Sequence, residues 1–346
     1  MRILLTGGAG YIGSACLRWL LNHGHDAIAY DNLSEGNAPA VPPDRLVVGD
    51  ILNTGNLTRT MIEHRTEVVI HLAAVASVPE SITNPELYYR INVQGTKSVL
   101  DAMLVAGAKG IVFSSTAATY GFQAEMPLQE TSPQIPVVPY GRSKLAAEWL
   151  IQDYARAHGL GYTLLRYFNA SGADTDGRNG ECRKRETHLI PIIFEVATGR
   201  RPELTIYGHE LPTRDGTCVR DYIHIEDLAE AHRLAAEALR PGREAAYNMG
   251  SGTGTTVLEV LRACEEVVGR PIPHRLADPR PGDPAILIAS PERISQELGW
   301  KPRYPHIAEI VETAWHWHRS HPRGYVPVVA NARKLTGANL LLNPSI

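Results

Sequence analysis

Apolar residues in the first half of the chain fall into two alternating kinds of segment. Short β-rich runs, "RILLT" at 2–6, "AIAYD" at 27–31, "LVVGD" at 46–50, "EVVIH" at 67–71, "GIVFSS" at 110–115 and "YTLLRY" at 162–167, read as strands. Between them the spacing takes the period of a helix over 11–23, 54–64, 84–106 and 139–158. Such alternation predicts a parallel sheet with helices on both faces. Past 170 the pattern changes. The stretch "GADTDGRNGECRKRETH" at 172–188 is polar and lacks periodicity, and it reads as a loop able to close over a ligand. Helical spacing returns near 188–198, 226–239, 256–268 and 306–319, with brief strands "LTIY", "AYNMG" and "AILIA" between, which predicts a smaller α/β lobe. The division is therefore 1–170 for the first domain, 171–322 for the lobe and 323–346 for a C-terminal tail.

Composition narrows the partners. The chain has 346 residues and a formal charge of −3, with no run of like charges, so a nucleic-acid footprint is not expected. No apolar run reaches the roughly 18 residues of a membrane span, and the N-terminus runs straight into a strand without a signal-peptide pattern. We expect an unexported, cytoplasmic protein with a small-molecule partner. Cys16, Cys182, Cys218 and Cys264 are far apart and form no paired motif, so neither a metal site nor a disulfide framework is expected.

Two motifs carry chemistry. The first strand leads into Gly7, Gly8, Gly10 and Gly13, and a helix starts there. Glycines at these places allow backbone N–H groups to approach a pyrophosphate at the positive end of the helix. Asp31 ends the second strand 18 residues after Gly13, where a carboxylate would accept hydrogen bonds from ribose hydroxyls and repel a 2′-phosphate. NAD is thus favoured over NADP, on a Rossmann-type doubly wound sheet. Asp50 and Ile51 after the third strand, and Leu72, Ala73 and Ala74 after the fourth, are further cofactor candidates. The second motif is "YGRSK", which sets Tyr140 one helical turn ahead of Lys144. Residues four apart share a face, so the ammonium is expected to lower the phenol's pKa from its ordinary value of about 10. Taken alone, the pair reads more readily as a surface Tyr and Lys on an ordinary amphipathic helix.

Together with "HLAA", "FSSTAATYG" and "RYFNASGA", these motifs resemble the extended short-chain dehydrogenases/reductases in kind and order. The second half, through "ETHLIPIIFEVATGRR", "DGTCVRDYIHIEDLAEAH", "YNMGSGTGTTVLEV" and "RPGDPA", is similar to the UDP-glucose 4-epimerase group within them. The resemblance covers roughly 1–320. It implies Tyr140 as the proton-transferring residue, Lys144 as its charge partner on the nicotinamide ribose, and Thr116 as the hydrogen-bond partner of the sugar 4-hydroxyl. It implies NAD contacts at Gly7, Gly10, Tyr11, Ile12, Gly13, Asp31, Asn32, Asn92, Ser114 and Tyr167. For the UDP-sugar it implies Phe168, Asn169, His188, Leu189, Thr205, Tyr207, Arg220, Arg280 and Asp283, with Leu287 as a gatekeeper of the sugar pocket. A homodimer built on helices 84–106 and 139–158 is implied as well. The sequence departs from some members at Ala76, where they carry a lysine for the NAD pyrophosphate.

The implied activity is interconversion of UDP-glucose and UDP-galactose through a 4-keto sugar. A nucleotide-sugar dehydratase would need an acid-base pair after Thr116, where Ala117 and Ala118 stand. Epimerisation of a UDP-N-acetylhexosamine, UDP-pentose or UDP-uronic acid, and a non-catalytic NAD sensor, are the remaining alternatives.

Overall fold

The computed structural model describes residues 1–280 and 283–325; the expected tail lies outside them from 326 on. Its first lobe contains strands β1 (Arg2–Thr6), β2 (Asp26–Asp31), β3 (Leu46–Val48), β4 (Val68–His71), β5 (Gly110–Thr116) and β6 (Gly161–Tyr167). Its helices are α1 (Tyr11–Asn22), α2 (Thr54–Glu63), α3 (Val78–Thr83), α4 (Pro85–Tyr88), α5 (Gly95–Ala106) and α6 (Pro139–His158). The chain continues through β7 (Asn169–Ser171), α7 (Leu189–Ala197), β8 (Leu204–Tyr207), β9 (Val219–His224), α8 (Ile225–Ala238) and β10 (Glu244–Met249). It closes with β11 (Gly254–Thr256), α9 (Val257–Val268), β12 (His274–Ala277), β13 (Ile286–Leu287), α10 (Glu292–Leu298) and α11 (Ile307–Ser320).

Seven strands form one parallel sheet in the order β10-β6-β5-β4-β1-β2-β3. Alternate residues of β1 sort to opposite faces, as the period of a strand requires. Ile3 and Leu5 join a core with Leu17 of α1 and Leu228 of α8, whereas Leu4 joins Leu57 of α2, Val99 of α5 and Ala147 of α6. Each such fully buried leucine contributes about 1.5–3 kcal/mol. The strand order reverses between β1 and β4, and at such a switch point the carboxyl ends of the strands leave a crevice for a ligand.

Three elements differ from the pattern reading. "AYNMG" belongs to the main sheet as β10, with Tyr247 opposite Leu165 of β6, and α8 packs under that sheet. An apolar run shows that a strand is buried; it does not show which sheet buries it. The helix expected over 84–106 is interrupted. Asn84 leaves helical geometry ahead of Pro85, which disfavours the α region at the residue before it, and Tyr89–Gln94 form a π-helical stretch before α5. Finally "VRDYIH" is a strand, β9, despite its charges. It pairs with β7 and β13 in parallel and with β11 in antiparallel sense. Asp221 within it is fully buried but accepts from the backbone N–H groups of Ser251, Gly252 and Ala289, which offsets the cost of burying its carboxyl in a strand. The second lobe packs Ile193, Phe194, Leu261, Cys264, Ile310 and Ala314 into its own core. No described helix is long and apolar enough to cross a membrane.

Candidate active site

The glycine turn between β1 and α1 is shaped by close approach. Gly7 has φ +70°, and a Cβ there would sit 2.6 Å from the backbone nitrogen of Ala73; at Gly13 it would sit 2.2 Å from the Gly7 carbonyl. The turn is therefore seated against Leu72 and Ala73. Gly10 caps α1 without a side-chain hydrogen bond and the first turn carries no acid, so its N–H groups are free for an anion. A diphosphate fits this cradle. Tyr11 and Ile12 open the helix, and the Tyr11 hydroxyl donates to the Gly172 carbonyl at 2.7 Å.

Asp31 proves to be part of the turn itself. Its carboxylate accepts from Ala9 N at 2.9 Å and from Leu33 N at 2.8 Å, leaving a second lone pair on each oxygen for a ribose. Beside it Asn32 donates to Asp50 at 3.0 Å, and Asp50 accepts from Leu52 N, with Ile51 buried below.

The β5 and α6 ends bring Thr116, Tyr140 and Lys144 together. Pro139 starts α6, its fixed φ suited to a first helical position, and places Tyr140 in the first turn. Burial raises the Tyr140 phenol above its ordinary value; a hydrogen bond with Thr116 and the charge of Arg183 act against it. This corrects the expected role of Lys144. Its ammonium donates to the Ser114 carbonyl at 2.9 Å, 4.8 Å above the Phe113 ring, and the cation that acts on Tyr140 here is Arg183. Ser114 thereby serves the site through the lysine it holds. Burial pushes Lys144 down to about 7, against the charge of Glu148.

Asn92, in the π-helical stretch, links two walls of the site. Its amide bonds both the N–H and the C=O of Val75, at 3.0 and 3.1 Å, and donates to Ser143 of α6 at 3.0 Å. Ala76 follows this anchored residue, so no cation stands there. Tyr167 is buried close to Ser114 and Tyr140. His232 Nδ1 lies 2.8 Å from the Leu228 carbonyl, so that nitrogen carries the proton and Nε2 accepts from the Tyr167 hydroxyl within the core.

On the facing lobe, Thr205 and Tyr207 share the outer face of β8 while Leu204 and Ile206 point into the core. The Arg280 guanidinium lies 4.0 Å from the Tyr207 ring centre, and Arg220 is ion-paired with Asp283. Leu287 of β13 is the register partner of Arg220. Asn169 donates to the Asp221 carbonyl at 2.7 Å, and the Phe168 N–H to the Met249 carbonyl at 3.1 Å. His188 caps α7 ahead of Leu189, its Nδ1 2.5 Å from Glu181.

The polar loop after 172 is pinned over the cofactor cradle. Asn179 donates to the Tyr11 carbonyl and accepts from Ser14, and Asn37 donates to the Cys182 carbonyl at 3.0 Å. It contributes two residues that the pattern did not single out, Glu181 and Arg183. Burial raises the Glu181 carboxyl, but His188 and Arg183 outweigh it and hold the group at about 2. Polar residues in an aperiodic loop carry no signal of what they will face. Cavities of about 190 Å³ and 280 Å³ lie to either side, at Trp317–His318 and at Arg18–Tyr304, and Tyr140 lines neither.

Residues 3–250 match the sequence profile of the NAD dependent epimerase/dehydratase family. UDP-glucose 4-epimerase of Halalkalibacterium halodurans is 49% identical over 94% of this chain and 98% of its own. The structure of UDP-glucose 4-epimerase from Brucella ovis in complex with NAD is similar with a TM-score of 0.88 and 45% identity, over 91% of this chain and 98% of that one. That from Bifidobacterium longum in complex with NAD+ and UDP has a TM-score of 0.89 and 35% identity, over 94% and 100%. By this profile match over most of its length and by these relatives, the chain belongs to the NAD dependent epimerase/dehydratase family.

Proposed function

We propose that the protein interconverts UDP-glucose and UDP-galactose with NAD as bound cofactor. The observation that carries this reading is the Thr116–Tyr140 hydrogen bond in a lobe whose α1 starts uncapped, supported by Arg220, Arg280 and Tyr207 in the second lobe. Guanidinium groups suit a diphosphate, and an exposed aromatic face suits a base. Gly7, Gly10 and Gly13 would hold the cofactor diphosphate on the α1 N-terminus, and Asp31 the ribose. NAD, when bound there, supplies a reversible acceptor for the hydride on sugar carbon 4.

Tyr140 takes the proton of the 4-hydroxyl as the C–H bond breaks, and Thr116 holds the oxygen in line. The phenol is weakly acidic in its buried setting, so proton transfer relies on the Thr116 hydrogen bond and the Arg183 charge that ease proton loss. The resulting 4-keto sugar stays tethered through its diphosphate to Arg220 and Arg280 and turns its other face to the cofactor. On that face carbon 4 would take back the hydride while Tyr140 returns the proton to the oxygen, so no net oxidation results. Leu287 adjoins Arg220 and would bound the sugar pocket.

Incubating the purified protein with UDP-galactose and following products by proton NMR tests this reading; the expected product is UDP-glucose. No conversion with or without added NAD would sink it. UDP-N-acetylgalactosamine in a parallel sample reports the width of the pocket at Leu287.

A homodimer through α5 and α6 is supported by apolar side chains left open there: Val105 is 70% exposed and Trp149 57%. Sedimentation should give twice the chain mass, falling to one chain mass in Trp149→Glu. A cytoplasmic location suits four cysteines that are all free thiols, and cell fractionation checks it.

A further inference from the structure

Behind Lys144 lies a buried ion pair that the reaction scheme does not use. Glu148, one turn further along α6, is fully buried. Arg166 of β6, 4% exposed, grips it with a fork: Nη2 to Oε2 at 2.8 Å and Nε to Oε1 at 3.1 Å. Gln134 donates to the same carboxylate at 3.1 Å, and so does the Ser115 hydroxyl. Arg166 also donates to the Tyr120 hydroxyl at 2.8 Å, which passes on to Asn248 at 2.7 Å.

The placement relative to the site is specific. Ser114 gives its carbonyl to Lys144 and Ser115 gives its hydroxyl to Glu148, so α6 grips β5 at two successive residues. Thr116 is the next residue. Taking two charges out of water costs several kcal/mol per ion, and apolar residues of similar volume often pack as stably, so stability alone is a weak account of the pair.

We propose that the Glu148–Arg166 pair is a positioning device for the reaction, fixing the Ser114–Thr116 end of β5 against α6 and balancing the charge on Lys144. This rests on the epimerase reading for its purpose. The groups that face Lys144 are Glu148 on its own helix, His71 on β4, and Arg166 of β6 through Glu148. Burial works against the ammonium and Glu148 works for it. Removing the Glu148 charge leaves Lys144 facing Arg166 alone; removing the Arg166 charge leaves an unopposed carboxylate. The two substitutions therefore act in opposite directions.

The test uses the NAD-loaded protein with ¹³C at the lysine Cε. The lysines are Lys97, Lys109, Lys144, Lys184, Lys301 and Lys334, so each resonance is separable, and that of Lys144 is assigned by its loss in Lys144→Met. In Glu148→Gln the Lys144 titration midpoint is expected to fall by about tenfold in proton affinity, with the acid limb of activity moving the same way. In Arg166→Gln the midpoint should rise, and the double variant should return toward the parent. Ser115→Ala keeps both charges and should lower turnover severalfold at an unchanged midpoint, which probes the positioning role even if a charge variant fails to fold. Midpoints that stay put in both single variants, or move in the same direction, overturn the proposal, as does full turnover in Ser115→Ala. The titration needs no sugar turnover, so a failed substrate assignment remains distinguishable.

Discussion

Tyr140 combines burial, which keeps its hydroxyl protonated, with a hydrogen bond to Thr116 and a nearby cation, which ease proton loss. Replacing it with phenylalanine removes one oxygen and leaves the ring in its edge-on contact with Tyr88. Turnover of UDP-galactose should fall by about 10² to 10⁴-fold while UDP binding, measured by calorimetry, stays within about twofold. A variant with near-parental turnover would remove Tyr140 from the proton path. At this scale the Tyr-Lys spacing was legible because one helical turn fixes which side chains share a face. The direction of the Lys144 ammonium was not, since the Ser114 carbonyl that receives it comes from another strand. The same holds for Arg183 and for the Tyr167 hydroxyl, whose partners are set by loop path and helix packing.

Between β1 and α1, the glycine turn depends on contact distances smaller than a methyl group allows. Gly13→Ala would drive a Cβ to 2.2 Å from the Gly7 carbonyl, so the helix start must move. We expect a loss of about 1–3 kcal/mol of stability and at least tenfold less NAD carried through gel filtration. Heat denaturation and chromatography of the acid-released nucleotide check both, and parental NAD content would contradict the cradle. Strands and helices of this lobe were readable from periodicity, including α1, α2 and α6 to within a residue or so. The π-helical stretch at Tyr89–Gln94 was not, because an apolar helix period does not register the one wider turn that aims Asn92 at Val75 and Ser143.

Across the molecule, four buried histidines contribute to acid sensitivity. Burial holds His71 at about 3 and His224, His232 and His318 at about 4, whereas an unfolded histidine titrates near 6.5. Below pH 6.5 the unfolded chain thus binds protons that the folded chain does not. The histidines' contribution to stability is full above that pH and falls as pH drops toward 4, by about 1.4 kcal/mol per pH unit for each of them. Glu181, held at about 2, retains its contribution until far lower pH, so the histidines act first. Urea unfolding at pH 7.5 and 5.5 should show a clearly lower midpoint at 5.5; equal midpoints would refute this.

The sequence alone determined the α/β alternation, the glycine turn with its Asp31 and the Tyr140–Lys144 pair, since each depends on short-range spacing and backbone sterics. Tertiary structure alone decided that β10 closes the main sheet, that charged β9 is a central strand of the second lobe, and that Glu148 meets Arg166 behind the lysine. Those outcomes depend on which distant groups satisfy one another's charges and hydrogen bonds, and local periodicity carries no record of the partner.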